Sequence, residues 1–478
     1  MKCMPLLLLL FWTPCLAAQP FEGLSESIAQ GSYGNLKAVI VSRHGETLFE
    51  EYYRGTQPGD LHQVQSVTKS IGSALIGIAH RQGKLQLDQT LGHFFSDLYP
   101  MASGPYANKA AVTVEQVLQQ RHGIEWDEAS VDYRDPRNPV GAMIGSGDWY
   151  QYVLTRPTDA APGNRFSYST GASTLMSRIV RVAAGMGPTD YAEQELFGPL
   201  GISQHHWEGY SDEGMGHGLT DWPNPDGDPP LGFGLWLTAR DLVKFGELYL
   251  NGGLYQGRRI LDESWVRASW VKYSHSGNSD FFPDPGWGHG YQWWIAVFND
   301  TRGRTWQVFF ASGWGSQVIF VLPELDLVVV TTADNYDYGG PDVDVLLATQ
   351  IVPELNPRLD SRFNGAWYDP ATDGQGLTLE VREDGSTVVG FWYTYDDQGN
   401  QRWFVLQGLA AGDEAEVTIY RTSGGVFLQG DPVLLEEWGS GRFTTTDCNN
   451  VTLDFDSDEA SGIVLLTRLS GSCYEAPN

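Results

Sequence analysis

Ser66-Val67-Thr68-Lys69-Ser70-Ile71-Gly72-Ser73-Ala74-Leu75-Ile76-Gly77-Ile78-Ala79-His80 sets a hydroxyl and an amine three residues apart at the head of an apolar run. Ile71, Leu75 and Ile78 recur with helical spacing, so the stretch predicts a helix. Positions i and i+3 share a helix face, which lets the Lys69 amine reach back to the Ser66 hydroxyl. Ser66 falls at the helix start, where unpaired backbone N–H groups point towards an incoming oxyanion. A serine becomes nucleophilic beside a base, and lysine is a base only when desolvation or a neighbouring cation lowers its pKa. Ser-x-x-Lys alone is a weak motif, since Ser269-Trp270-Val271-Lys272 also matches. The residues after that second match, Tyr273-Ser274-His275-Ser276-Gly277, make no amphipathic helix. Ser66 is therefore the candidate nucleophile.

Working outward, Ala38 to Glu51 reads as a hairpin about His44-Gly45. Helical patterns recur at Thr113 to Gln120, Gly171 to Ala184 and Ala239 to Tyr249. Strands return at Gln292 to Phe298, Gln307 to Phe310, Val318 to Leu322 and Leu327 to Thr332, before a last helical stretch from Asp342 to Val352. Strands at both ends with helices between them predict an α/β (α+β) unit. Its sheet is built from N- and C-terminal segments around a helical insertion. Pro353 to about Arg362 reads as a linker. Beyond it, 363–478 carries short aromatic strands separated by turns, an all-β module of ordinary domain size.

Two further elements carry chemistry. Tyr168-Ser169-Thr170 follows the Pro162-Gly163 turn and precedes a helical pattern, so its phenol can share a proton with a nearby lysine. Ala311-Ser312-Gly313-Trp314-Gly315 leaves a glycine-flanked strand edge that a substrate can approach closely. Each alone is a tyrosine in a loop or a plain turn. In this order the three resemble the serine β-lactamase and penicillin-binding-protein superfamily. The nearer likeness is to its class C β-lactamase-like esterase and 6-aminohexanoate-oligomer-hydrolase-like branch. The segments GKLQLDQTLGHFF, VTVEQVLQQRHGIEWDE, GDWYQYVLTRPTDAAPG, GLWLTARDLVKFGELYLNGG and GWGSQVIFVLPELDLVVV share the likeness, which spans about 35 to 352.

The resemblance implies an antiparallel sheet flanked by helices, with a helical domain facing it and the site between them. It implies Ser66 as nucleophile, Lys69 as base, Tyr168 as proton relay, and an oxyanion hole from the amides of Ser66 and Trp314. Thr170, Ser312 and Gly313 would line the substrate cleft, with Trp149 and Tyr150 as candidate walls. Two positions depart from the pattern. Thr170 stands where many relatives have asparagine, and Ala311 where β-lactamases have the lysine or histidine that receives the β-lactam carboxylate. An uncharged ester, or an amide or oligomer, is the expected substrate. β-Lactamase or D-amino-acid peptidase activity, and a non-catalytic binding or sensing protein of the same fold, are the rivals.

The rest of the chain narrows the class. Its 59 acidic against 30 basic residues, a formal charge of −29, argue against nucleic acid as a partner. Lys2, the apolar run Pro5 to Trp12, and Ala17-Ala18 read as a signal peptide over 1–18, leaving the hydrolase domain as 19–352. The protein is thus expected to be exported, periplasmic or secreted, with lipid attachment at Cys15 disfavoured by Pro14. No later run is apolar enough to span a bilayer. Cys448 and Cys473 are expected to pair in an oxidising compartment. No Gly-x-Ser-x-Gly, His-Glu-x-x-His, P-loop or dinucleotide fingerprint is present, and His205, His206 and His217 lack ligand spacing. No metal or cofactor is expected. In the C-terminal module Trp367, Trp392, Trp403 and Trp438 are expected to fill a small core. A carbohydrate- or surface-binding face is the other reading.

Overall fold

The computed structural model describes residues 21–469 apart from 209–221, 276–286, 302–303, 338, 356–358, 360, 373, 383–386, 397, 426–432 and 448–449. The signal segment, His217, Cys448 and Cys473 lie outside the described residues. Two compact units divide the chain, one over 27–347 and one over 348–478, with residues 21–26 grouped with the second. The division falls about five residues before the expected linker at Pro353. Val343–Leu346, the wide-turned Leu347–Ile351 and Val352–Leu355 form one helical run.

In the first unit eight strands form one antiparallel sheet: β1 (Leu36–Arg43), β2 (Glu46–Tyr52), β3 (Ser274–His275), β4 (Gly288–His289), β5 (Trp294–Asn299), β6 (Thr305–Gly313), β7 (Gln317–Leu322) and β8 (Leu327–Ala333). Their spatial order is β2-β1-β8-β7-β6-β5-β4-β3. The hairpin turns at His44 and Gly45, both with positive φ, as a two-residue connection between twisted strands requires. Ile40 lies opposite Val330, and Ile319 opposite Val330 on the other side, so the N-terminal strand is stitched to the C-terminal ones. β7 and β8 are buried along their whole length, as their apolar runs Val318–Leu322 and Leu327–Val330 require. Helices Val67–Arg81 and Ala239–Leu250 pack on this sheet. The predicted helix at Ser66 is observed at Val67–Arg81 and buries every residue from Val67 to Ala79. Gly83, with φ 68°, follows its end. The predicted 171–184 helix is two, Thr170–Thr174 and Met176–Ala184, because Leu175 both ends one and begins the other.

The second unit contains a closed antiparallel barrel: β9 (Gly365–Tyr368), β10 (Gly376–Val381), β11 (Thr387–Tyr395), β12 (Gln401–Ala411), β13 (Glu414–Ser423), β14 (Leu434–Asp447), β15 (Asn450–Ser457) and β16 (Ser461–Arg468). Trp367 of β9 pairs with Arg468 of β16 and closes it, leaving no sheet edge. Leu377, Leu379 and Val381 point inward while Thr378 and Glu380 face out, the period-two pattern of a strand with one buried face. Trp367, Trp392 and Trp438 are buried, whereas Trp403 is 48% exposed. The expected aromatic core therefore takes three of the four tryptophans. No helix among the described residues is long and apolar enough to cross a membrane.

Candidate active site

Ser66 ends a short approach from the strand His62–Gln63 and stands immediately before its helix. Gln65, just upstream, has φ 51°, a conformation a non-glycine residue rarely adopts. Its carbonyl accepts the Thr68 hydroxyl at 2.6 Å, which holds the turn. Gly313 closes the site from β6: a Cβ there would lie 2.3 Å from the Val64 carbonyl oxygen. Only glycine lets the strand end come so near the nucleophile's turn.

Lys69 Nζ lies 2.8 Å from Ser66 Oγ, 3.0 Å from Thr170 Oγ1 and 2.9 Å from the Gly232 carbonyl oxygen. Burial is what lowers its pKa, to about 8, with the charge of Glu128 opposing the change. The phenol of Tyr168 hydrogen-bonds Ser66, and its ring lies under the lysine, 4.9 Å from Nζ. Burial above all, then Glu128, pushes that phenol well above its usual pKa. Trp294 stacks on Tyr168 at 5.4 Å between ring centres. The structure thus gathers one hydroxyl, one amine and one phenol from two distant segments.

The loop from Gln120 to Glu128 holds the tyrosine segment, a role that reading the sequence missed. The Gln120 carbonyl accepts the Ser167 N–H at 2.8 Å, and its side-chain oxygen accepts the Ser169 N–H at 3.0 Å. His122 accepts the Ile124 N–H on Nδ1, so its Nε2–H donates to the Ser167 carbonyl at 3.0 Å. Buried Glu128 accepts the Thr170 N–H and the Thr170 hydroxyl, each at 2.8 Å, the Tyr133 hydroxyl at 3.0 Å, and the Trp126 indole N–H. The quoted segment VTVEQVLQQRHGIEWDE contained both residues. Nothing local marked a carboxylate that would be buried against a threonine 42 positions later.

The donors and acceptors fix the lysine's orientation. The Gly232 carbonyl can only accept. Thr170 spends its one hydroxyl proton on Glu128, so towards Lys69 it too can only accept. A neutral lysine then places its two N–H bonds on these acceptors and turns its lone pair to Ser66. Gly232 comes this close because it lacks a side chain, whose Cβ would meet the Thr170 carbonyl oxygen at 2.8 Å.

Ser66, Tyr168, Ser312, Gly313 and Trp314 line one cleft of about 360 Å³, walled also by Tyr133, Trp294 and Tyr336. Three residues expected at the cleft, Trp149, Tyr150 and Thr170, do not line it. Trp149 and Tyr150 are fully buried in the first turn of helix Trp149–Thr155 and take no part in the cleft lining. Asp148 caps that helix, while Trp149 packs on Trp222 and Phe233 and Tyr150 on Phe95. Thr170 is buried beneath the cleft, holding Lys69. His205 and His206 pair with different acids, Glu193 and Glu208.

Residues 35–348 match the beta-lactamase family. The chain belongs to that family. It is similar to a 6-aminohexanoate-dimer hydrolase of Paenarthrobacter ureafaciens, 24% identical over 68% of this chain and 79% of the relative. Among solved structures, EstCE1, a hydrolase with promiscuous acyltransferase activity, superposes with a TM-score of 0.52 at 16% identity, over 67% of this chain and 95% of that one. A D-stereospecific amidohydrolase from Streptomyces does so with a TM-score of 0.50 at 15% identity, over 68% and 96%. These solved structures share the fold, and this chain is a hydrolase of the beta-lactamase family.

Proposed function

We propose that this family member is an exported serine hydrolase forming an acyl-enzyme on Ser66, with uncharged esters as its main substrates and small amides or oligomers as further ones. The observation that carries the reading is Lys69 Nζ at 2.8 Å from Ser66 Oγ with its other two directions held by acceptors. In acylation Ser66 Oγ attacks the carbonyl carbon as its proton passes to Lys69. The oxyanion sits against the amides of Ser66 and Trp314, a type of contact worth about 10²–10³ in rate per donor. The C–O bond to the leaving group then breaks. Tyr168 gives its proton to the departing alkoxide and regains one from Lys69. Water repeats the cycle on the acyl-enzyme and releases the acid. Lysine is the base because its amine loses a proton near pH 8 while the phenol keeps its own. Glu128 is a positioning residue, acting through Thr170.

Ala311 faces Ile319 across the sheet and is buried, so that position supplies no cation for a β-lactam carboxylate. Arg134, near Trp314, is already paired with Asp132 and Asp337. Aromatic walls and the lack of an unpaired cation at these positions favour a neutral acyl group. Export rests on the apolar run and small residues within 1–18. A fluorophosphonate probe should label Ser66, and short-chain p-nitrophenyl esters should turn over in the wild type and not in Ser66→Ala. Equal turnover in that variant would refute the reading. A wild type inert to esters, amides and β-lactams alike would favour a binding protein.

A further inference from the structure

The barrel's two ends differ. Phe363 stacks on Trp367 at 5.8 Å between centres, and with Leu379, Val381, Val388 and Leu453 they join the hydrophobic core that Trp392, Phe404 and Trp438 continue. The other end holds a cavity of about 560 Å³. Trp392, Phe404, Trp438 and Phe455 form its wall, with ring centres 4.4 Å apart for Phe404 and Trp438 and 5.0 Å for Trp392 and Phe455. Eight-stranded barrels are wide enough to fill with side chains or to hold one small ligand, and such cavities favour aromatic walls with a few polar groups.

The polar groups at this mouth narrow the ligand's chemistry. Asp396 spends its carboxylate on its own turn, accepting the N–H groups of Gln398 and Asn400 at 2.9 and 2.8 Å. Asp369 accepts the Ala371 N–H at 2.8 Å. Glu459 accepts Arg402 and Arg421 at 2.8 Å each, and these bonds help hold its pKa at about 2. Arg402 in turn lies over the rings of Phe404 and Trp438, so the cation position of the aromatic group is taken from within. A charged ligand would have to break these pairs. The Thr394 hydroxyl donates to the Gln375 side-chain oxygen at 2.6 Å, so a wholly apolar ligand would strand the remaining Gln375 amide N–H groups against hydrocarbon. A ligand with an apolar face, many hydroxyls and no charge meets both demands.

We propose that this cavity is a saccharide site, taking a neutral sugar of one or two rings whose C–H groups meet the wall of Trp392, Phe404, Trp438 and Phe455. Sugar hydroxyls then exchange hydrogen bonds with Gln375, Gln398 and the Arg402–Glu459 pair. The site works independently of acyl transfer at Ser66.

The test is calorimetric titration of the full-length Ser66→Ala protein with cellobiose, maltose and N,N′-diacetylchitobiose, with tetramethylammonium chloride and laurate as contrasts. At least one disaccharide should bind at one site per chain with a millimolar or lower Kd. Trp438→Ala should abolish that binding. Because that change can also unfold the barrel, Gln398→Ala, on an exposed turn, is the second variant. It should weaken binding roughly three- to tenfold, the effect of one hydrogen bond, with the melting temperature unchanged. No saccharide binding up to tens of millimolar would overturn the proposal. So would saccharide binding that Trp438→Ala, folded by circular dichroism, retains in full, or occupancy by tetramethylammonium or laurate alone.

Discussion

The Thr170 hydroxyl donates to the Glu128 carboxylate across 2.8 Å, and this bond decides what Lys69 can do. With its proton spent, Thr170 presents only an acceptor, the same face an asparagine oxygen would show at that position. The threonine that departs from the family pattern is thereby made to work like the asparagine it replaces. Thr170→Val should lower kcat by roughly 10- to 100-fold with little change in KM, as expected when only the transition state loses an interaction. Glu128→Gln should also move the acid limb of the kcat/KM profile to lower pH, because the carboxylate's charge raises the Lys69 pKa. A profile that stays in place would assign Glu128 a purely structural role.

The pH dependence follows from Lys69 alone in the accessible range. Its amine must be neutral to accept the Ser66 proton, and its pKa is about 8. kcat/KM for an alkyl ester should therefore rise about tenfold per pH unit below 8 and level off above it. Tyr168, raised well beyond its usual value, should add no alkaline limb in that window. A stopped assay across pH 6 to 10, with stability checked at each point, measures both.

Burying that lysine has a cost in stability with a definite sign. Its folded pKa is about 8 and its ordinary value 10.5, so the fold disfavours the charged form. Below pH 8 both folded and unfolded chains hold the proton and the full cost, about 3 kcal/mol, applies. As pH climbs from 8 towards 10.5 the unfolded chain binds more protons, and stability rises. Urea denaturation of wild type and Lys69→Met at pH 7 and pH 10 should show the wild type gaining relative to the variant at the higher pH.

Gly313 tests the strand edge. Gly313→Ala would set a Cβ 2.3 Å from the Val64 carbonyl oxygen and 2.9 Å from the Gln65 Cβ. Strand and nucleophile turn must separate, at a stability loss of about 1–3 kcal/mol. Ester turnover should fall at least 100-fold as the Trp314 amide leaves the oxyanion position. Gly59→Ala, with open space around its Cβ, is the control and should change neither turnover nor melting temperature.

Particular residues show how far the sequence could be read. Ser66 and Lys69 were legible because a helix fixes the i, i+3 relationship locally. Tyr168 was legible only through motif order, since no local rule joins it to a lysine 99 positions earlier. Trp149 and Tyr150 were placed on the cleft in error. Periodicity says that a helix has an apolar face, and it is silent on whether that face meets a cavity or a neighbouring side chain.

What the chain by itself determined was therefore the strands at both ends of the first unit, the nucleophile helix and the separate β module, each set by short-range periodicity and turn chemistry. Only tertiary structure decided that Glu128 and His122 clamp the tyrosine loop, that Gly232 completes the lysine's set of acceptors, and that the barrel holds a cavity lined by Trp392 and Trp438. The reason is physical. A buried carboxylate, carbonyl or cavity acquires its meaning from desolvation and from partners far along the chain, and neither is a property of any local stretch of residues.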